Sequence, residues 1–236
     1  MPSILVCVLT GMERTGWISP SLCSSLLRLQ RDPRFNITVE MVTDHRPVEY
    51  ARNTCVWKAR AGGNDYLVQI DNDMVLPSNF ADILDEVVRT NKAVVSLSSG
   101  VLLPEGPQII PGDNGQKDGR FQETRCAGGG VLIISADVWR VIERGPWFRW
   151  VTNDDEVLSR KLGEDYYFCE LVQAHGLKVW THERLAGHLK TADATWLVMQ
   201  ATGPTRELEQ LRLNVEAEAA RQAAQMVKEW KETQCR

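Results

Sequence analysis

Four short apolar runs, each followed or preceded by a helix signal, govern what this chain can fold into. They are Ser3 to Leu9 (SILVCVL), Asn36 to Val42 (NITVEMV), Tyr66 to Ile70 (YLVQI) and Lys92 to Ser98 (KAVVSLS). The first is apolar at nearly every position, the pattern of a strand buried on both faces of a parallel sheet. Between the runs lie helices. Ser19-Pro20 supplies an N-cap and a proline at the first helical position, predicting a helix to about Arg31. Pro47 to Ala61 predicts a second, stopped by Gly62-Gly63. Phe80, Ile83, Leu84, Val87 and Val88 form one apolar stripe of a third. Strand and helix thus alternate through the first hundred residues. That rhythm predicts right-handed βαβ units: an α/β, Rossmann-like single domain with a mostly parallel central sheet flanked by helices.

The second hundred residues break the rhythm. Residues 99–125 are rich in glycine and proline and predict a long loop, a feature that is usually functional in a compact domain. Gly128 to Ile134 predicts a strand, Ala136 to Ile142 a helix, Glu164 to His175 a helix closed by Gly176, and Leu177 to Thr181 a last strand. From about Arg206 to Trp230, Leu208, Leu211, Val215, Ala219, Ala223, Met226 and Trp230 keep one face apolar. A long C-terminal helix is expected there, either packed on the domain or pairing with a second copy as a homo-oligomer. The expected division is a domain at 1–200, with halves at 1–100 and 101–200, and a helical extension at 201–236.

Composition removes several classes. With 236 residues, 43% hydrophobic and 25% charged, the chain can bury a globular core. A net charge of −4 argues against a protein that coats nucleic acid, and leaves only a local basic groove (Lys58, Arg60, Arg149, Arg160, Lys161) or a solvated surface. Six cysteines without a C-x-x-C pair read as reduced thiols, hence a cytoplasmic expectation. The apolar start lacks a basic leader region, so a strand is expected there and not a signal peptide. No run approaches the ~18 apolar residues of a membrane span.

Ligands of an open parallel sheet bind outside the carboxyl ends of its strands. Those ends carry Thr10-Gly11, Thr43-Asp44 and Asp71-Asn72-Asp73. Carboxylates two apart on extended chain point to one side, and such hard oxygen donors suit Mg²⁺ or Mn²⁺. Fourteen aspartates make about one Asp-x-Asp pair expected by chance, so context must decide. The plain alternative is a turn or a helix cap.

The context is a series of segments in a particular order: EYARNTCVWKARAGGNDYLVQIDNDMVLP (49–77), CAGGGVLIISADVW (126–139), GEDYYFCELVQAHGLKVW (163–180) and GHLK (187–190). Together they resemble the GT-A glycosyltransferases, especially the family 2 type, from Ser3 to about Lys190. Two departures are Thr54-Cys55, where a glycine often follows the asparagine, and Thr43-Asp44-His45 in place of a double aspartate.

The resemblance implies a GT-A fold and a metal-dependent transfer of a sugar from a nucleoside-diphosphate sugar, UDP-sugar favoured, with Mn²⁺ or Mg²⁺. It implies that Thr10, Gly11, Asp44, Arg52, Asp71 and Asn72 line the nucleotide-sugar site. Asp73 and His188 would hold the metal, with Asp71 beside it and His182 as a substitute for His188. Asp165, with Glu164 adjoining, would be the base that deprotonates the acceptor. The acceptor would be a carbohydrate or, in a phage-type enzyme, a hydroxymethylated DNA base. Trp147, Phe148 and Trp150 form either a hydrophobic corner or an acceptor-stacking surface. Two other readings compete: a sugar-phosphate nucleotidyltransferase, whose G-x-G-x-R spacing is missing after the first strand, and a non-catalytic nucleotide-sugar-binding or assembly protein.

Overall fold

The computed structural model describes residues 1–10, 18–43, 47–103, 106–110, 115–152 and 160–188, and at 98–103, 106–110, 152, 160–162, 185 and 188 the backbone alone. The helix expected at 206–230 and the candidates Gly11 and Asp44 lie outside the described residues.

Three of the expected strands form as read: β1 (Ser3–Leu9), β2 (Asn36–Val42) and β3 (Tyr66–Asp71). So do the three helices between and after them: α1 (Pro20–Gln30), α2 (Val48–Ala61) and α3 (Phe80–Thr90). The Ser19 hydroxyl caps α1 by accepting the Leu22 amide at 3.1 Å, ahead of Pro20. Gly63 beyond α2 takes φ +64, a left-handed turn open to glycine. β1 explains its own composition. Ile4, Val6 and Val8 face a core shared with α1 and α3, whereas Leu5, Cys7 and Leu9 face a second core on the side of α2. With both faces dry from Ile4 onward, every position there is apolar.

The remaining elements are β4 (Met74–Val75), β5 (Val94–Leu103), β6 (Gly106–Ile110), β7 (Lys117–Asp118), β8 (Phe121–Glu123), β9 (Val131–Ser135), α4 (Ala136–Val141), β10 (Val151–Thr152), β11 (Arg160–Leu162), α5 (Glu164–Ala174) and β12 (Val179–His188). The main sheet runs β2-β1-β3-β9-β5-β12-β8-β7, with β4 added to β12 and β6 to β5. A small second sheet pairs β10 with β11.

The expectation of a mostly parallel sheet is corrected: the sheet is mixed. β1 pairs in parallel with β2 and β3, and β5 with β12, but β9 lies antiparallel between β3 and β5. The cause is the connection. β8 ends against Trp180, at the start of β12. Residues 124–130 then return along α5, where the Gln173 amide donates to the Arg125 carbonyl at 2.6 Å and the Cys169 thiol lies 3.8 Å from the Ala127 carbonyl. The chain therefore enters β9 at the carboxyl edge, opposite Ile70, and runs against its neighbours. The expected loop at 99–125 is also corrected. β5 continues to Leu103 and folds back as β6, and β7 and β8 form a further hairpin. Among the described residues no helix is long and apolar enough to cross a membrane.

Candidate functional site

The carboxyl edge of β1 and β3 is drawn together by backbone bonds. The Asn72 amide donates to the Leu9 carbonyl at 3.1 Å, and the Asp71 amide to the Gly130 carbonyl at 2.9 Å. Thr10 is buried beside this junction; its amide and hydroxyl donate to the Val42 carbonyl at 3.0 and 3.4 Å. Asp73, just before β4, is 1% exposed. β4 pairs antiparallel with the end of β12, so His188 stands opposite Met74, the residue after Asp73. The His188 side chain itself lies outside the described residues.

Arg52, on the buried face of α2, is the centre of the site. It is 3% exposed, and each nitrogen of its guanidinium faces a protein oxygen. Nη2 lies 3.1 and 3.3 Å from the two Asp71 oxygens, Nη1 lies 3.0 Å from the Gly129 carbonyl and 3.4 Å from Gln69 Oε1, and Nε lies 3.4 Å from Glu164 Oε1. Burial opposes the charge of this cation. Asp71, Glu164 and Asp165 outweigh that cost and hold its pKa above the usual value. Glu164 is shifted the other way from its own norm: burial raises its pKa, and Arg52 recovers only part of the shift.

Glu164 and Asp165 occupy the first turn of α5, where unpaired amides favour negative charge. Asp165 uses one of these amides and one from outside the helix. Its Oδ1 accepts the Tyr166 amide at 2.9 Å and its Oδ2 the Gly129 amide at 3.2 Å. A Cβ placed on the helix N-cap, Gly163, would stand 3.0 Å from Asp165 Oδ1 and 3.5 Å from the Trp150 ring. The half-buried Trp150 and the Asp165 carboxylate thus flank the same glycine.

The asparagine after Arg52 has a different task. Asn53 accepts the Trp147 and Phe148 amides at 2.8 and 3.1 Å and donates to the Phe148 carbonyl at 2.8 Å. Trp147 and Phe148 are fully buried, and Phe148 stacks on Phe168 with centroids 4.3 Å apart. These two aromatics are the hydrophobic corner, and Phe148 also faces the Arg52 guanidinium, 5.9 Å from its ring.

Of the residues singled out in the sequence, Arg52, Asp71, Glu164 and Asp165 share one hydrogen-bonded cluster, and Thr10, Asn72 and Asp73 adjoin it. His182 is elsewhere. It pairs with Leu97 and Phe121, six positions before His188, about 20 Å along an extended strand. Sequence reasoning missed Gln69, and weighed Gly129 only within Gly128-Gly129-Gly130, as a close-packed strand start or a substrate platform. Gln69 is fully buried and its side-chain amide donates to the Arg52 carbonyl at 3.0 Å. One polar residue inside a doubly buried strand was the available signal. Among the described residues, no three His, Cys, Asp or Glu side chains gather as a metal site.

No family model matches the sequence, and no curated protein matches it. Solved structures do resemble it in fold. The structure of A197 from STIV superposes over 80% of this chain and 85% of its own, with a TM-score of 0.51 and 18% identity. A second match is GalNAc-T7 with UDP, GalNAc and Mn²⁺, over 79% of this chain but 44% of that one, with a TM-score of 0.49 and 12% identity. At such identities the likeness to A197 establishes the α/β fold and nothing about chemistry.

Proposed function

We propose that the chain is a GT-A glycosyltransferase that moves a sugar from a nucleoside-diphosphate sugar, UDP-sugar favoured, to an acceptor hydroxyl. One observation carries the reading. Asp71 at the end of β3, Asp73 just before β4, the acidic first turn of α5 and the last residue of β12 lie at a single sheet edge. A solvated acidic turn would not bury Asp73 or enclose an arginine.

The donors suit a hard divalent cation. Asp73 would hold Mn²⁺ or Mg²⁺ through oxygen, with Asp71 beside it and His188 brought close by the register of β12. When bound, such an ion would stabilise the charge developing on the leaving diphosphate. The chain's own residues do the rest. Thr10 and Asn72 border the nucleotide, and Asp71 borders the ribose or the sugar. Asp165 is fixed by one amide on each oxygen, and each oxygen keeps a lone pair for an acceptor hydroxyl. It takes that hydroxyl's proton as the new glycosidic bond forms.

Titration calorimetry and hydrolysis assays across UDP-, GDP- and dTDP-sugars, with and without Mn²⁺, test the reading. UDP-sugar binding that requires the ion, and that Asp73→Asn abolishes, is the expected result. Metal-dependent turnover surviving in Asp73→Asn would remove the metal assignment. Failure of the wild type to bind any nucleotide sugar would remove the glycosyltransferase.

A further inference from the structure

The resemblance assigns Arg52 to the nucleoside, yet its three nitrogens are all engaged with protein oxygens in a site 3% exposed. We propose that Arg52 is a positioning residue, which sets the donor-side carboxylate of Asp71 and the acceptor-side carboxylates of Glu164 and Asp165 in one fixed arrangement. The proposal rests on the glycosyltransferase reading and adds the device that registers its two halves.

The geometry gives the route. Asp71 ends β3 and Glu164 opens α5; no backbone bond joins these residues, and the guanidinium spans them directly. Asp165 is reached through one glycine, whose two flanking peptide planes meet at its Cα. The Gly129 carbonyl accepts from Arg52 Nη1, and the amide of the same residue donates to Asp165 Oδ2. An arginine that fixes the Gly129 carbonyl anchors one of those planes and so restricts the amide on the other, which holds the candidate base. Gln69 braces the assembly by accepting from the guanidinium and donating to the Arg52 carbonyl. A planar fork is needed for this; the single ammonium of a lysine cannot reach oxygens on three sides.

Gly129 supplies an independent probe. A Cβ there would lie 2.6 Å from Arg52 Nη2 and 2.8 Å from its Cζ, and the backbone is outside the left-handed region. Gly129→Ala thus displaces the guanidinium without altering any charge and without backbone strain.

The test compares wild type, Arg52→Lys, Gly129→Ala and the double variant, using UDP-sugar and Mn²⁺. Donor affinity is read by calorimetry, transfer by steady-state kinetics and folding by circular dichroism. Misplacement of reacting groups by a fraction of an ångström to 1 Å costs about 100-fold in rate. We expect that loss in kcat for each single variant, a rise in donor Kd smaller than the fall in kcat, and a double variant no worse than the poorer single, because both changes remove one arrangement. Lost donor binding with intact kcat would overturn the inference in favour of a nucleoside contact. Unchanged kinetics, effects that multiply, or unfolding of both single variants would also overturn it. A wild type that binds no nucleotide sugar removes the parent reading first, and is told apart by needing no variant.

Discussion

Arg52 and Lys92 are both buried cations, at opposite ends of the same sheet, and their surroundings differ in kind. Arg52 at the carboxyl edge meets Asp71, Glu164, a buried glutamine and a backbone carbonyl. Lys92, 8% exposed and just before β5, lies 4.0 Å over the Trp180 ring and 5.5 Å from the Phe121 ring, with the exposed Asp118 as its ionic partner. The first arrangement collects more negative charge than its cation neutralises. The second covers one cation with aromatic faces and lets water complete its solvation. Burial of a charge alone therefore does not mark a candidate site; an excess of fixed opposite charge at the carboxyl edge of the sheet is the stronger signal.

The widest expected separation is in turnover. General acid–base groups contribute about 10²- to 10⁴-fold, so Asp165→Asn should reduce sugar transfer by about 10³-fold, measured with saturating donor. Lys92→Met should leave it within about 2-fold, the ordinary scatter of a remote substitution. An equal loss in both variants would break the division between the edges. Stability should separate them next. Removing one partner of a buried ionic cluster costs about 3–5 kcal/mol, the expectation for Arg52→Met in urea denaturation. Lys92→Met forfeits a cation–π contact and a half-solvated ion pair, about 1–2 kcal/mol. Adding Glu164→Gln to Arg52→Met should recover part of the loss, since Glu164 is the carboxylate whose own burial raises its pKa. No recovery would mean that Arg52 acts mainly by packing against Phe148, 5.9 Å from its ring.

Much of this was legible in the residues. β1, β2 and β3 with their helices followed from apolar period, caps and stops, because each signal there is local. The triplet at Asp71, Asn72 and Asp73 was legible from its place after a buried strand. The direction of β9 was not: VLIIS reads alike in a parallel or antiparallel neighbour, and the path of residues 124–130 along α5 decides it. Nor was the strand content of residues 99–125, where glycine and proline mask edge pairing. Arg52 shows the limit most clearly. The resemblance placed it at the nucleotide, while its contacts with Glu164, more than a hundred residues away, and with Gly129 appear only in the fold.

The last separation is in pH response, and it belongs to the Lys92 edge. His182 is 2% exposed and edge-on to Phe121 at 5.3 Å. Its Nδ1 accepts the Arg184 amide at 3.0 Å, which leaves the proton of the neutral ring on Nε2, 3.7 Å from Glu86 Oε2. Burial lowers its pKa below 6.5; Glu86 and Glu183 oppose that shift and Arg120 adds to it. The sign follows from linkage. The unfolded chain takes up the proton first, so the stability contributed by the neutral ring is complete above pH 6.5 and is lost as pH falls from there toward the folded value. One such group gives at most about 1.4 kcal/mol per pH unit. Urea denaturation at pH 5.5, 6.5 and 7.5 should therefore show a slope that His182→Leu flattens. Glu86→Gln should widen the window, because it removes the carboxylate that favours the charged ring. An unchanged slope in His182→Leu would assign the pH response to other groups. A change in donor turnover would show that the two edges are coupled, and would dissolve the contrast between Arg52 and Lys92.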